Sequence, residues 1–241
     1  MSDHIRGINM FLDEFVKDKN MSFDQPVVGA TKEFFAQNKP NFGTRFDEPQ
    51  ISKLKGKMRK LGWVCKSTEG AYSAVFINDS KPYILKINVR PDSAFAWFAF
   101  LTKKFPNPHF PNIGNAKTIT LDGNKYYLYM IEKLEPLQTL QNYGQKQVAN
   151  FCEEYTVNFT KDPQDLLSYD NIMASHFTET KKYLTPSLFQ ACKIIGQNRK
   201  GATIDLHDEN IMLRDNTIVI TDPYAGTPKR QNKSQVKFEP F

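Results

Sequence analysis

The chain has 241 residues and a mass of 27.8 kDa, enough to bury a sizeable core as one domain or as two lobes. Hydrophobic residues make up 40% and there are 14 prolines, which indicates a globular, loop-containing chain; 32 Lys and Arg against 26 Asp and Glu leave a formal net charge of +6. No apolar run is long enough to cross a bilayer, so no membrane association is expected. Cys65, Cys152 and Cys192 form no C-x-x-C pair, which argues against a zinc site and for a reducing cytoplasm.

Taken in chain order, the opening MSDHIRGINMFLDEFVKDKN is not a signal peptide, because acids interrupt its apolar residues. Ile5, Ile8, Phe11, Leu12 and Phe15 fall on one face of an amphipathic helix, expected to pack on the body. A Pro/Asn/Gly loop follows around residues 38–43. Residues 51–66 hold Lys53, Lys55, Lys57, Arg59, Lys60 and Lys66 with no acid, while Ile51, Leu54, Met58 and Leu61 give them a helical apolar face. Such charge could attract acidic partners, yet a solvated helix face is the favoured explanation. No nucleic-acid motif accompanies it, so direct nucleic-acid binding is not expected.

Strand signals come next. Residues 71–77 (AYSAVFI) and 83–87 (YILKI) are apolar runs separated by the turn Asn78-Asp79-Ser80-Lys81-Pro82. Gly70 stands at the entrance of the first, where a glycine lets backbone amides approach a phosphate. Ala71, Tyr72 and Ser73 continue that loop, and Ser73 offers a hydroxyl. Lys86 is the one cation of the second run; alone, it reads as a lysine snorkelling from a sheet edge. Residues 91–105 (PDSAFAWFAFLTKKF) read as a helix with Asp92 or Ser93 as N-cap. Residues 116–121 and 125–131 flank Asp122-Gly123-Asn124, a hairpin signal. Glu132-Lys133-Leu134-Glu135-Pro136 then breaks the strand, and residues 145–159 and 186–198 are helix candidates.

The most informative stretch is 202–225, ATIDLHDENIMLRDNTIVITDPYA. Asp205 and Asn210 are followed by a β-branched run, NTIVIT, that reads as a buried strand with Asp222 at its end. Phosphoryl transfer needs such a set: one carboxylate to orient the attacking hydroxyl, and an Asn and a second carboxylate to hold Mg²⁺. Asp and Asn are common loop residues. The specific signal is the string Asp205-Leu206-His207-x-x-Asn210 combined with a strand that ends in Asp222. The chemistry also asks for a lysine on an upstream strand, and Lys86 meets that demand. There is no G-x-G-x-x-G loop, and the absence of a Walker A string excludes a P-loop ATPase.

These strings together resemble the early serine/threonine protein kinases of the T-seven-like tailed phages, the autographivirus group. The resemblance covers about residues 62–223. It rests on Gly70-Ala71-Tyr72-Ser73-Ala74, Ile84-Leu85-Lys86-Ile87, Asp92-Ser93-Ala94, Phe110-Pro111-Asn112-Ile113, Asp205-Leu206-His207, Asn210-Ile211-Met212 and Ile220-Thr221-Asp222-Pro223. It implies an α+β, minimal two-lobed protein-kinase-like fold, with a helical extension over 1–55, a β-rich small lobe over 56–135 and a helical large lobe over 136–241. It implies ATP and Mg²⁺ as cofactors and host bacterial proteins as substrates in the host cytoplasm. Asp205 would be the catalytic base, with His207 beside it. Lys86 would bind phosphate, with the Gly70, Ala71, Tyr72 and Ser73 loop over the nucleotide. Asn210 and Asp222 would be the metal ligands, and the backbone from Glu132 to Leu134 would face the adenine as the hinge.

The chain departs from ordinary kinases in three places. The helix over 91–105 lacks the Glu that pairs with the lysine. Thr203-Ile204 replace the usual His-Arg ahead of the catalytic Asp, and the segment after Asp222 is short, so a truncated large lobe is expected. Two other functions fit these departures: a small-molecule phosphotransferase, for which Asp-Leu-His-x-x-Asn is also common, and a pseudokinase that binds and inhibits a host protein.

Overall fold

A computed structural model describes residues 23–40, 45–67, 72–137, 143–158 and 183–226. The N-terminal amphipathic helix, most of the loop over 38–43, Gly70, Ala71 and the basic tail from Thr227 lie outside the described residues. The chain divides into two compact units: Met1–Pro91 with Ile113–Lys133, and Asp92–Asn112 with Leu134–Phe241. The described residues hold five helices, and all their strand pairs are antiparallel.

The first unit is built on a five-stranded sheet of β1 (Val64–Ser67), β2 (Ser73–Ile77), β3 (Tyr83–Asn88), β4 (Lys117–Leu121) and β5 (Asn124–Glu132), in the order β1-β2-β3-β5-β4. The expected hairpin is β4–β5. Asp122 and Gly123 have φ of 48° and 78°, the left-handed pair that a two-residue hairpin turn demands and that Asp-Gly supplies. β1 carries no clear period-2 signal and was not expected; its pairing to β2, through an irregular register at Cys65 and Ser67, is what makes it a strand.

Helices α1 (Gln25–Gln37) and α2 (Glu48–Lys60) belong to this unit, and each opens with a proline in its first turn, where the missing N–H costs nothing. Asp47 caps α2. Its carboxylate accepts from Gln50 N at 2.9 Å, and Gln50 Oε1 accepts from Asp47 N at 3.0 Å, a reciprocal capping box. The expected apolar face is present: Ile51, Leu54 and Met58 are buried. They join Val27, Phe34, Phe35 and Phe46 in one core with Phe76, Leu85, Ile87, Tyr126, Leu128 and Met130 of the sheet. Phe35 packs on Tyr126 at 5.0 Å and edge-on to Phe46 at 5.2 Å, a geometry aromatic rings prefer. The opposite face of α2 is the basic one. Lys55 reaches Glu48 and Lys57 reaches Glu33, each at 2.8 Å, so its charge is partly answered within the fold.

The second unit holds α3 (Ser93–Lys104), α4 (Tyr143–Asn158) and α5 (Pro186–Gln197). Asp92 and Thr185 cap α3 and α5 by accepting from Phe95 N at 2.9 Å and Leu188 N at 3.2 Å. Phe151, Tyr155 and Phe189 join α4 to α5 at ring separations of 4.7–5.2 Å. Two small sheets follow. One orders β6 (Glu135–Pro136), β8 (Ile211–Arg214) and β9 (Thr217–Ile220) as β6-β8-β9; the other pairs β7 (Thr203–Ile204) with β10 (Tyr224–Ala225). Phe98 of α3 packs edge-on to Tyr224, and Tyr224 donates its hydroxyl to Ile195 O at 2.7 Å. Among the described residues, no helix is long and apolar enough to cross a membrane.

Candidate active site

Asp205, Asn210 and Asp222 lie at the ends of short strands, and strand pairing brings those ends together. In the β7–β10 ribbon Ile204 faces Tyr224. One residue beyond it, Asp205 N donates to Pro223 O at 2.9 Å. In the β8–β9 hairpin Ile211 faces Ile220. One residue beyond that pair, Thr221 donates twice to Asn210 O, from its backbone N at 2.9 Å and from Oγ1 at 3.0 Å. Asn210 closes the set by donating from Nδ2 to Asp205 O at 2.7 Å. Four hydrogen bonds thus lace residues 205, 210 and 221–223, in a segment that has little regular structure of its own.

His207 sits inside this lacing. A 3₁₀ turn over Asp208–Asn210 starts from it, with Asn210 N donating to His207 O at 2.9 Å. Its Nδ1 lies 3.3 Å from Glu209 N and its Nε2 lies 3.0 Å from Asn210 Nδ2. A neutral imidazole has one lone-pair nitrogen, so it accepts from one of these donors at a time. A doubly protonated ring would instead face Asp205 Oδ1 at 3.9 Å and Asp208 Oδ1 at 4.0 Å. About half of the His207 and Asp205 side chains is exposed (45% and 46%), so both are open to a reactant.

The donor set suits a hard cation. Asn210 commits its amide nitrogen within the loop, so Oδ1 is the atom it could offer a metal, and Asp222, two residues past β9, could add a carboxylate. Oxygen ligands of this kind suit Mg²⁺. No group of three or more His, Cys, Asp or Glu side chains that could hold a metal occurs among the described residues. A two-ligand Mg²⁺ site is compatible with that, because Mg²⁺ draws its remaining oxygens from water and phosphate.

The other expected residues fall in the first unit, except Leu134. Lys86 is 8% exposed and lies opposite Val75 on one side and Tyr129 on the other. It is therefore on the central strand of the sheet, and the reading of a lysine snorkelling from an edge fails. The Tyr72 carbonyl accepts from Val89 N at 2.8 Å, and the Arg90 guanidinium lies 5.0 Å over the Tyr72 ring. Ser73 is buried, and its Oγ accepts from Asn88 Nδ2 at 2.9 Å, while Asn88 Oδ1 accepts from Tyr127 N at 3.1 Å. The Ser73 hydroxyl thus helps tie β2 to β3 and β5. Glu132 ends β5 opposite Tyr83, Lys133 N donates to Pro82 O at 3.0 Å, and the chain enters the second unit at Leu134.

One residue of the site's support was not expected. His109 is 3% exposed. Its Nδ1 lies 2.6 Å from Ile218 O, and its Nε2 lies 2.8 Å from Thr185 Oγ1 and 3.0 Å from Ser187 Oγ. These partners specify the tautomer: Nδ1–H donates to the carbonyl, and Nε2 accepts from a hydroxyl. Ile220 N also donates to His109 O at 2.9 Å. β9, which ends two residues before Asp222, is thereby pinned to the cap of α5. Burial, with a smaller push from the Arg214 charge, lowers the His109 pKa from 6.5 to about 4 against the opposing pull of the Ile218 bond. A lone His in an Asn-Pro-His-Phe-Pro string gives no periodic signal, so nothing local announced this role. Among known proteins, no family model matches the chain and no curated protein is significantly similar to it.

Proposed function

We propose that the protein is an ATP- and Mg²⁺-dependent serine/threonine protein kinase with a minimal two-lobed fold, made by a tailed phage and acting on host bacterial proteins in the cytoplasm. The observation that carries this reading is the four-bond lacing of Asp205, Asn210 and the Thr221-Asp222-Pro223 turn. In this reading Asp205 holds the substrate hydroxyl and takes its proton. Asn210 Oδ1 and the Asp222 carboxylate hold the metal, which supplies charge neutralisation to the phosphates when bound. Lys86 orients the α- and β-phosphates, and the backbone of Glu132 to Leu134 meets the adenine. The hydrogen bonds that seat the backbone of Asp205 and Asn210 favour this reading, because a preorganised polar site needs little rearrangement during transfer.

The test is nucleotide binding read by thermal denaturation. A ligand that binds only the folded state stabilises it by mass action, about 2.7 kcal/mol at a hundredfold excess over Kd. ATP should raise Tm in Mg²⁺ and raise it much less in chelator. Equal shifts in the two conditions, or none with any nucleotide, would remove Asn210 and Asp222 from the metal.

A second reading keeps the chemistry and changes the acceptor. His207 lies between Asp205 and Asn210, in the string shared with kinases of small molecules. Transfer of labelled phosphate to host-lysate proteins supports the first reading. Transfer only to sugars or aminoglycosides supports the second.

A further inference from the structure

The outer face of α3 is unusual for a helix of a soluble fold. Its buried side carries Ala94, Phe95, Phe98, Ala99, Leu101 and Thr102. Trp97, Phe100 and Lys104 recur at helical spacing on the other side, and Phe100 is 49% exposed. A solvated helix face normally carries polar residues there. The rings are organised. Trp97 and Phe100 stack with centroids 5.1 Å apart and planes 22° apart. Lys200 Nζ lies 3.5 Å from the Trp97 centroid, and Lys104 Nζ lies 6.0 Å from that of Phe100 and 5.2 Å from that of Phe105, all within cation–π range. Trp97 Nε1 donates to Asn198 O at 2.6 Å, and Asn198 N donates to Ile194 O at the end of α5 at 3.1 Å. The Trp97 edge of the patch is therefore anchored to the end of α5.

Its charge is one-sided. Residues 93–106 and 186–204 contain no Asp or Glu. Among the described residues, the carboxylate ion pairs lie elsewhere, and none involves Lys104, Arg199 or Lys200. The Lys200 ammonium is held below its ordinary pKa first by desolvation and then by the Lys104 charge. Two cations therefore crowd one aromatic stack, and an anion placed at them would relieve the repulsion.

We infer that this face of α3, together with Arg199 and Lys200, binds an acidic segment of a partner protein in which an apolar side chain stands beside the carboxylates. The carboxylates meet Lys104 and Lys200, and the apolar side chain covers the exposed edge of Phe100. Nucleic acid fits less well. A nucleobase needs an open ring face, and these rings are already stacked on each other and capped by ammonium groups. The inference is independent of phosphoryl transfer; if the protein is a kinase, the patch gives it a place to hold acidic substrates.

The test uses the full chain without nucleotide. The protein has two tryptophans, and Trp63 is 1% exposed in the core of the first unit, so a ligand-induced fluorescence change reports Trp97. The probe is a synthetic peptide of glutamates around a single phenylalanine, at physiological salt. A saturable change is expected. Phe100→Ser, and separately Lys104→Glu with Lys200→Glu, should each weaken Kd by about tenfold or more, the scale of a central contact in an interface. Lys53→Glu with Lys60→Glu makes the same charge change on α2 and should move Kd by less than about twofold, as a remote rim charge does. Circular dichroism confirms that each variant is folded. The inference is overturned if the control pair weakens binding equally, if a thymidine oligonucleotide binds more tightly than the peptide, or if no saturable change occurs.

Discussion

Lys86 lies in the middle of a sheet and Asp205 lies one residue past a two-residue strand, and different forces hold them. Lys86 is placed by β3, whose neighbours on both sides are complete strands and whose alternate residues enter an apolar core. Asp205 is placed by single hydrogen bonds between loop residues. A backbone held by packing loses its geometry when a ring is removed from the core. A backbone held by laced polar groups keeps its geometry through side-chain changes, provided the main-chain donors and acceptors remain.

The largest effect should come from the packed side of the comparison. Phe76 of β2 is fully buried in the core of the first unit. Phe76→Ala should cost about 3–5 kcal/mol, the transfer term plus the cavity left behind. Urea unfolding followed by circular dichroism measures it. A loss below about 1 kcal/mol would mean that the sheet does not depend on this packing, since such a small value lies outside the range for a buried Phe.

The next effect comes from acid, through His109 in the laced unit. Its folded pKa of about 4 lies below the ordinary 6.5, so between those values the native state binds fewer protons than the unfolded chain. Stability therefore rises with pH across this window and falls as pH drops from 6.5 towards 4. The single group accounts for about 3 kcal/mol between pH 7 and pH 4. His109→Gln should flatten that part of the Tm-against-pH curve relative to the parent. Parallel curves would show that His109 is not held neutral by its partners.

The smallest effect on folding, with a large one on chemistry, is expected at Asp205 itself. Its two described backbone bonds, from N to Pro223 O and from Asn210 Nδ2 to its carbonyl, do not involve the carboxylate. Asp205→Asn should leave Tm and Mg²⁺-ATP binding nearly unchanged while cutting phosphoryl transfer by about 10²-fold or more, the scale of a positioned acid–base group. Near-parental turnover in single-turnover labelling would take the base role away from Asp205.

Local signals carried most of the element types. The Asp-Gly pair specified its hairpin through two positive φ angles, and the Asp92 and Thr185 caps stand where the helix signals begin. The apolar period over Ile51, Leu54 and Met58 marked the buried side of α2. Where the reading stopped short, the cause lay in distant partners. β1 is a strand because β2 is beside it. Glu135–Pro136, read as a break, pairs with Met212 and Leu213. The basic stretch of α2 was legible as charge, but Glu33, which meets Lys57, lies in another helix.

By itself the sequence determined which side chains the proposed phosphoryl transfer would use, and in what order: Lys86, Asp205, Asn210, Asp222. Spacing along a chain reports composition of a loop and the period of an element, because both are local. Tertiary structure alone decided that Lys86 is on a central strand, that Asn210 binds the Asp205 carbonyl with Thr221 behind it, and that a buried His109 ties β9 to the cap of α5. It also decided that Trp97 and Phe100 face outward with Lys200 laid across the indole. The Lys86–Tyr129 pairing, the His109 bonds and the Lys200–Trp97 contact join residues far apart in sequence, whereas the Asn210–Asp205 bond and the Trp97–Phe100 stack are local. A contact between distant segments depends on distance in space, and no periodicity encodes that distance.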